Sequence, residues 1–141
     1  MKRARLGSLD VTSLGLGSAP LGGLFTSVSD ADAHATIERA WSAGVRFFDT
    51  APLYGFGLAE RRLGAFLRQQ KRESYTISTK VGRLLRVPEG AAAEDEHYKG
   101  TPRERPVFDF SYDGVMRSVE ESLGRLGLDL VTKDNVAQML K

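Results

Sequence analysis

The chain has 141 residues, 41% hydrophobic and 27% charged, a balance that suits one ordinary globular domain with a real core and excludes disorder throughout. Twenty Lys and Arg against 18 Asp and Glu leave a formal charge of only +2, too small for a phosphate-binding stripe, so no nucleic-acid partner is expected. There is no cysteine, which removes disulfide frameworks, thiolate nucleophiles and thiolate metal sites together; His34 and His97 are too few and too far apart for a metal centre.

The opening Met1-Lys2-Arg3-Ala4-Arg5 is basic without a following apolar stretch, and no run approaches membrane-spanning length, so a cytoplasmic chain without a membrane partner is expected. Gly7-Ser8, between Arg5-Leu6 and Leu9-Asp10-Val11-Thr12, fits a two-residue hairpin with Gly7 at the positive φ of a II′ turn. Leu14 to Gly23 then reads as a short apolar strand dissolving into small residues. Gly15 and Gly17 match the first two glycines of G-x-G-x-x-G, but Pro20 stands at the third and has no N–H for a pyrophosphate, which excludes a Rossmann fingerprint. Close backbone packing and direct ligand contact both stay open for these glycines.

Ser29 is a good N-cap with Asp32 three residues on, and Ile37, Ala40 and Trp41 recur at helical spacing before Gly44 stops the helix. Val45 to Phe48 is a buried parallel strand that runs into Asp49-Thr50-Ala51-Pro52-Leu53-Tyr54-Gly55. Leu58 to Gln69 forms the second helix, with Leu63, Phe66 and Leu67 on its apolar side. Tyr75 to Val81 is a third strand with Lys80 at its carboxyl end. Residues 82–110 show neither period and read as a long loop, functional or mobile. Ser111 caps a helix carrying Val115, Val119, Leu123 and Leu126 and ending at Gly127; Leu128 to Val131 begins a fourth strand, and Thr132 to Lys141 suits a short helix.

This order predicts an α/β fold with a parallel βα repeat, which fits a doubly wound sheet or part of a barrel; polar groups at two successive strand ends favour an incomplete (β/α)8 TIM barrel of about four units preceded by a β-hairpin. A complete barrel takes about 250 residues. Strands one and four would then be open edges, which predicts a homo-oligomer formed through them, or a noncatalytic half-barrel binding module.

Barrels collect chemistry at the carboxyl ends of their strands, where Asp49, Tyr54 and Lys80 converge. A free phenol titrates near pH ~10. An adjacent ammonium favours the phenolate, so Lys80 would tune Tyr54 while Asp49 holds Lys80 charged, making a general acid or base. Asp49 capping the turn through backbone N–H groups is the plainer alternative. Gly55-Phe56-Gly57 could bind an anion or form a tight turn. Lys80 as a Schiff-base nucleophile requires a desolvated neutral amine, which Asp49 opposes.

Phe48-Asp49-Thr50-Ala51, Tyr54-Gly55, Gly57-Leu58-Ala59-Glu60 and Ser78-Thr79-Lys80 together resemble the aldo-keto reductases, in the branch with aldose and pyridoxal dehydrogenases, from about Arg5 to Val131. The resemblance implies a (β/α)8 barrel using NADP or NAD to interconvert a small carbonyl or sugar substrate with an alcohol or lactone. It makes Tyr54 the proton donor or acceptor, tuned by Lys80 and supported by Asp49. Gly17, Ser18, Ala19 and Asp49 would line the nicotinamide, and the Gly22-Gly23 turn and residues 82–110 would border the substrate. The family's histidine at the end of strand four has no counterpart, since Leu130-Val131 leads to Thr132-Lys133-Asp134-Asn135. Residues 1–131 therefore read as an amino-terminal half-barrel with a 132–141 tail outside the pattern, and turnover is expected to be slow or nil.

Overall fold

In the computed structural model, residues 1–7, 9–91 and 94–129 are described. Arg3–Leu6 (β1) and Leu9–Thr12 (β2) pair antiparallel with Leu6 opposite Leu9, and Gly7 takes a φ of 60°. The expected hairpin forms.

Leu16–Gly17 (β3), Phe47–Asp49 (β4) and Thr76–Ser78 (β5) make a parallel sheet in that order. The register aligns Leu16, Phe48 and Ile77 in one row and Gly17, Asp49 and Ser78 in the next, and strand alternation sends these rows to opposite faces. The apolar row faces the helices. Phe48 is fully buried in a core with Ile37, Leu63, Phe66, Leu67 and Leu126, and the Trp41 ring stacks 6.2 Å from it. Tyr75 lies in the same core, where burial pushes its phenol up in pKa despite the nearby Arg72 charge. The polar row faces the other way. A parallel sheet covered by helices bears out the α/β expectation.

Asp30–Ser42 (α1) begins on Ser29, whose Oγ accepts from the Asp32 N–H at 3.1 Å and donates to Asp32 Oδ2 at 2.6 Å. Leu58–Leu67 (α2) follows the Tyr54 loop, and Tyr112–Leu126 (α3) starts on the Ser111 cap and ends at a left-handed Gly127. The α2 and α3 backbones approach so closely that Gly64 has no room for a side chain against Leu126. Between them lies Glu60, fully buried, with Oε2 taking the Arg125 Nε–H at 2.5 Å and Oε1 the Thr79 hydroxyl at 2.8 Å. This network ties both helices to the chain just beyond β5.

Residues 82–110 are not the structureless loop that their lack of period predicts. Arg83–Arg86 (β6) and Arg105–Phe108 (β7) form an antiparallel hairpin, with Leu84 opposite Val107 and Leu85 opposite Pro106. Each strand has four residues and β7 carries a proline, which a two-stranded edge tolerates and which hides any alternation. The expected tail helix, the 131/132 boundary and all but the first two residues of the expected fourth strand lie outside the described residues.

Candidate active site

Asp49 ends β4 on the face turned away from the helices. Its Oδ1 accepts from Ser78 Oγ at 2.7 Å and its Oδ2 from Lys80 Nζ at 2.8 Å. These partners are side chains from the neighbouring strand end and not the turn N–H groups of the plainer alternative. Lys80 follows β5 by two residues; Thr79 turns to Glu60 on the helix side, which leaves Lys80 on the open side. Its Nζ also donates to the Thr50 carbonyl at 3.0 Å and sits 4.9 Å from the centroid of the Tyr54 ring. The structure thus brings Asp49, Tyr54 and Lys80 together.

Burial alone would draw the Lys80 pKa down, but the hydrogen bond to Asp49 and the nearness of Tyr54, with the charges of both groups, outweigh it and raise the amine above its ordinary 10.5. Lys80 is an ammonium at neutral pH. That environment opposes the neutral amine of a Schiff-base route.

Tyr54 sits in a loop closed by Tyr54 N–H to Ala51 O at 3.1 Å and Gly57 N–H to Pro52 O at 2.8 Å. Gly55, Phe56 and Gly57 then take φ values of 62°, 52° and 86° in succession. Glycine adopts this region freely; a bulky Phe56 there costs about 1–3 kcal/mol and persists only where its surroundings hold it. Here Gly55-Phe56-Gly57 is a tight turn. Gly22 backs the same loop, and a Cβ on it would lie 2.5 Å from the Tyr54 carbonyl carbon.

Gly17 stands opposite Asp49 in the register and is exposed, with open space where a side chain would be. Ser18 donates its N–H to Asp49 O at 2.9 Å, whereas its hydroxyl is buried without a partner on the helix side, as is that of Thr50. Ala19 leads into a 3₁₀ turn over Pro20–Gly22. So Gly17 and backbone, not the Ser18 hydroxyl, form the open surface beside Asp49.

Two site residues escape a reading based on charge alone. Ser78 was identifiable by alternation, since it shares a face with Lys80 two residues on. Tyr98 carried no sequence signal: it is buried beside Phe56 and Tyr54 because the β6–β7 excursion folds back. Burial pushes its phenol up, and nearby Tyr54 and Asp95 add to this. Among the described residues no cluster of His, Asp and Glu could hold a metal ion, and no helix is long and apolar enough to cross a membrane.

Comparison with known proteins places this geometry. Residues 13–136 match the model of the Aldo/keto reductase family. The chain is 49% identical over 128 residues to pyridoxal 4-dehydrogenase of Microbacterium luteolum, covering 84% of this chain and 37% of that protein. It is 43% identical over 133 residues to D-threo-aldose 1-dehydrogenase of a Pseudomonas species, covering 91% and 40%. Among solved structures, the holo form of an aldo-keto reductase from Bacillus halodurans superposes with a TM-score of 0.70 at 28% identity, covering 93% of this chain and 38% of that one. The glycerol dehydrogenase of Gluconobacter oxydans does so at 0.66 and 28%, covering 92% and 37%. The chain thus spans about two fifths of the length of these relatives, and over that span its sequence and its sheet-and-helix layout make it a member of the aldo/keto reductase family.

Proposed function

We propose that this chain carries the proton-transfer end of an NAD(P)-dependent oxidoreductase that interconverts an aldehyde, ketone or sugar with the corresponding alcohol or lactone. The observation that carries this reading is the Lys80 ammonium, held 2.8 Å from Asp49 and set against the Tyr54 ring on the one sheet face free of helices. Tyr54 gives its proton to the carbonyl oxygen, or takes it from the alcohol. Lys80 stabilises the charge that develops on the phenol oxygen, and Asp49, itself oriented by Ser78, keeps Lys80 charged and in place.

The residues present fit a nicotinamide: open space at Gly17 beside Asp49 leaves a flat surface for a planar ring, and Gly17, Ser18, Ala19 and Asp49 would hold it. The cofactor, NADP or NAD, supplies the hydride chemistry when bound. We read the three parallel strands as the first part of a (β/α)8 barrel whose polar row lines the mouth. The reading is tested by following reduced-cofactor consumption with a pyridoxal-like or aldose carbonyl. Tyr54→Phe is expected to lower the rate by about 100- to 10,000-fold, as removal of a positioned acid does. Equal rates with and without the phenol would refute it.

A second reading rests on different observations. Among the described residues β3 and β5 each pair only with β4, and Phe108, Phe110 and Tyr112 are exposed, with Phe110 beside Gly82. Open edges and apolar side chains favour self-association. A noncatalytic chain assembling this way would bind no cofactor and show a concentration-dependent mass by light scattering.

A further inference from the structure

The β6–β7 hairpin reaches back to the loop that carries Tyr54. Residues 95–99 of its connecting segment are tied down by hydrogen bonds. Asp95 Oδ1 accepts the N–H groups of His97 at 2.9 Å and Tyr98 at 2.7 Å, and these two bonds hold the carboxyl below its ordinary range although burial acts against them. The turn so formed docks edge-on against the Gly22-Gly23 turn: Phe25 N–H donates to His97 O at 2.6 Å, Lys99 N–H donates to Gly23 O at 2.9 Å, and Leu24 bridges Tyr98.

From this platform the Tyr98 ring packs edge-on to Phe56 with centroids 5.8 Å apart, while the Arg105 guanidinium lies 4.6 Å from the Phe56 centroid on another side and Leu85 completes the cluster. Phe56 is the bulky residue held at a φ of 52°, two residues after Tyr54. A strained backbone of this kind reverts unless neighbours over-determine it. All three of these neighbours come from the hairpin.

We propose that the Arg83–Phe108 hairpin is a clamp on the proton donor: Tyr98, seated by Asp95, pins Phe56 in its left-handed conformation and thereby positions Tyr54 against Lys80. Tyr98 is a positioning residue and has no assigned contact with the reacting atoms. This deepens the oxidoreductase reading and rests on it for its purpose, but the geometry is testable without turnover.

The test is an NMR titration of the Lys80 side chain, because contact with Tyr54 is one of the causes that raise this amine. Tyr54→Phe sets the reference and is expected to lower the Lys80 midpoint. Tyr98→Ala is expected to lower it in the same direction, Tyr98→Phe to leave it near that of the parent, and the Tyr54→Phe/Tyr98→Ala pair to show no further fall. Should Tyr98→Ala fail to fold, Asp95→Ala loosens the same turn from outside the cluster and is expected to act alike. A Lys80 midpoint that falls in Tyr54→Phe but stays put in folded Tyr98→Ala or Asp95→Ala overturns the clamp alone. A midpoint unmoved even by Tyr54→Phe overturns the clamp and the Tyr54–Lys80 pairing together.

Discussion

Lys80 decides between chemistries because of what touches it. Two hydrogen-bond acceptors and a phenol make its charged form the stable one, so it serves Tyr54 as a fixed charge and not as a nucleophile. The raised amine also has a consequence for stability. Its ion pair contributes in full below the unfolded value of 10.5, and that contribution is lost as pH climbs through the higher folded value. Thermal melts from neutral to strongly alkaline pH should therefore fall less steeply above pH 10.5 in Lys80→Met than in the parent; parallel curves would mean that the pair has no folded-state advantage. Asp49 and Lys80 could be placed from the sequence because each follows a short β-branched or aromatic run that sets it at a strand end, and Tyr54 because Pro52 and Gly55 mark the loop that follows the first of these strands. What could not be read was that the Ser18 hydroxyl is buried without a hydrogen-bond partner while Gly17 beside it is exposed, with open space where a side chain would be.

At the scale of elements, the most buried ion pair among the described residues is Glu60–Arg125, with side chains 0% and 10% exposed. Breaking a buried pair strands the other charge, so Glu60→Ala should cost about 3–5 kcal/mol in denaturant unfolding. Arg61–Glu104, with Arg61 42% exposed, is the contrast: Arg61→Ala should cost about 1 kcal/mol or less. Similar costs for both would contradict the assigned role of burial. Thr79 shares Glu60, so loosening this tie should also disturb the chain that presents Lys80. The helices were legible from Ser29, Ser111, Gly44 and Gly127, whose caps are local chemistry. The β6–β7 hairpin was not, because its order comes from partners distant in sequence, Gly23 and Phe56, and no four-residue strand with a proline displays a period.

For the molecule as a whole, the sheet separates two jobs. One face supplies the core with three helices, and the other presents an acid, an ammonium, a phenol and a bare glycine. Trp41 belongs to the first face, stacked on Phe48, so its emission reports the fold, whereas a change in the emission of added reduced nicotinamide would report the binding proposed for the second. The chain spans 37% of the Microbacterium luteolum dehydrogenase and 40% of the Pseudomonas one, which makes binding, ahead of turnover, the property to measure. The most direct measurement is a titration of the purified chain with NADPH and with NADH, following nicotinamide emission while light scattering records the mass. Saturable binding is predicted. A Cβ at Gly17 meets no neighbour within 4 Å, so Gly17→Val should intrude on this open space and weaken binding by at least ~10-fold, about 1.4 kcal/mol, with an unchanged melting temperature. A folded chain that gives no saturable signal with either cofactor, or one that Gly17→Val leaves unaltered, would contradict the assignment of this face to hydride chemistry.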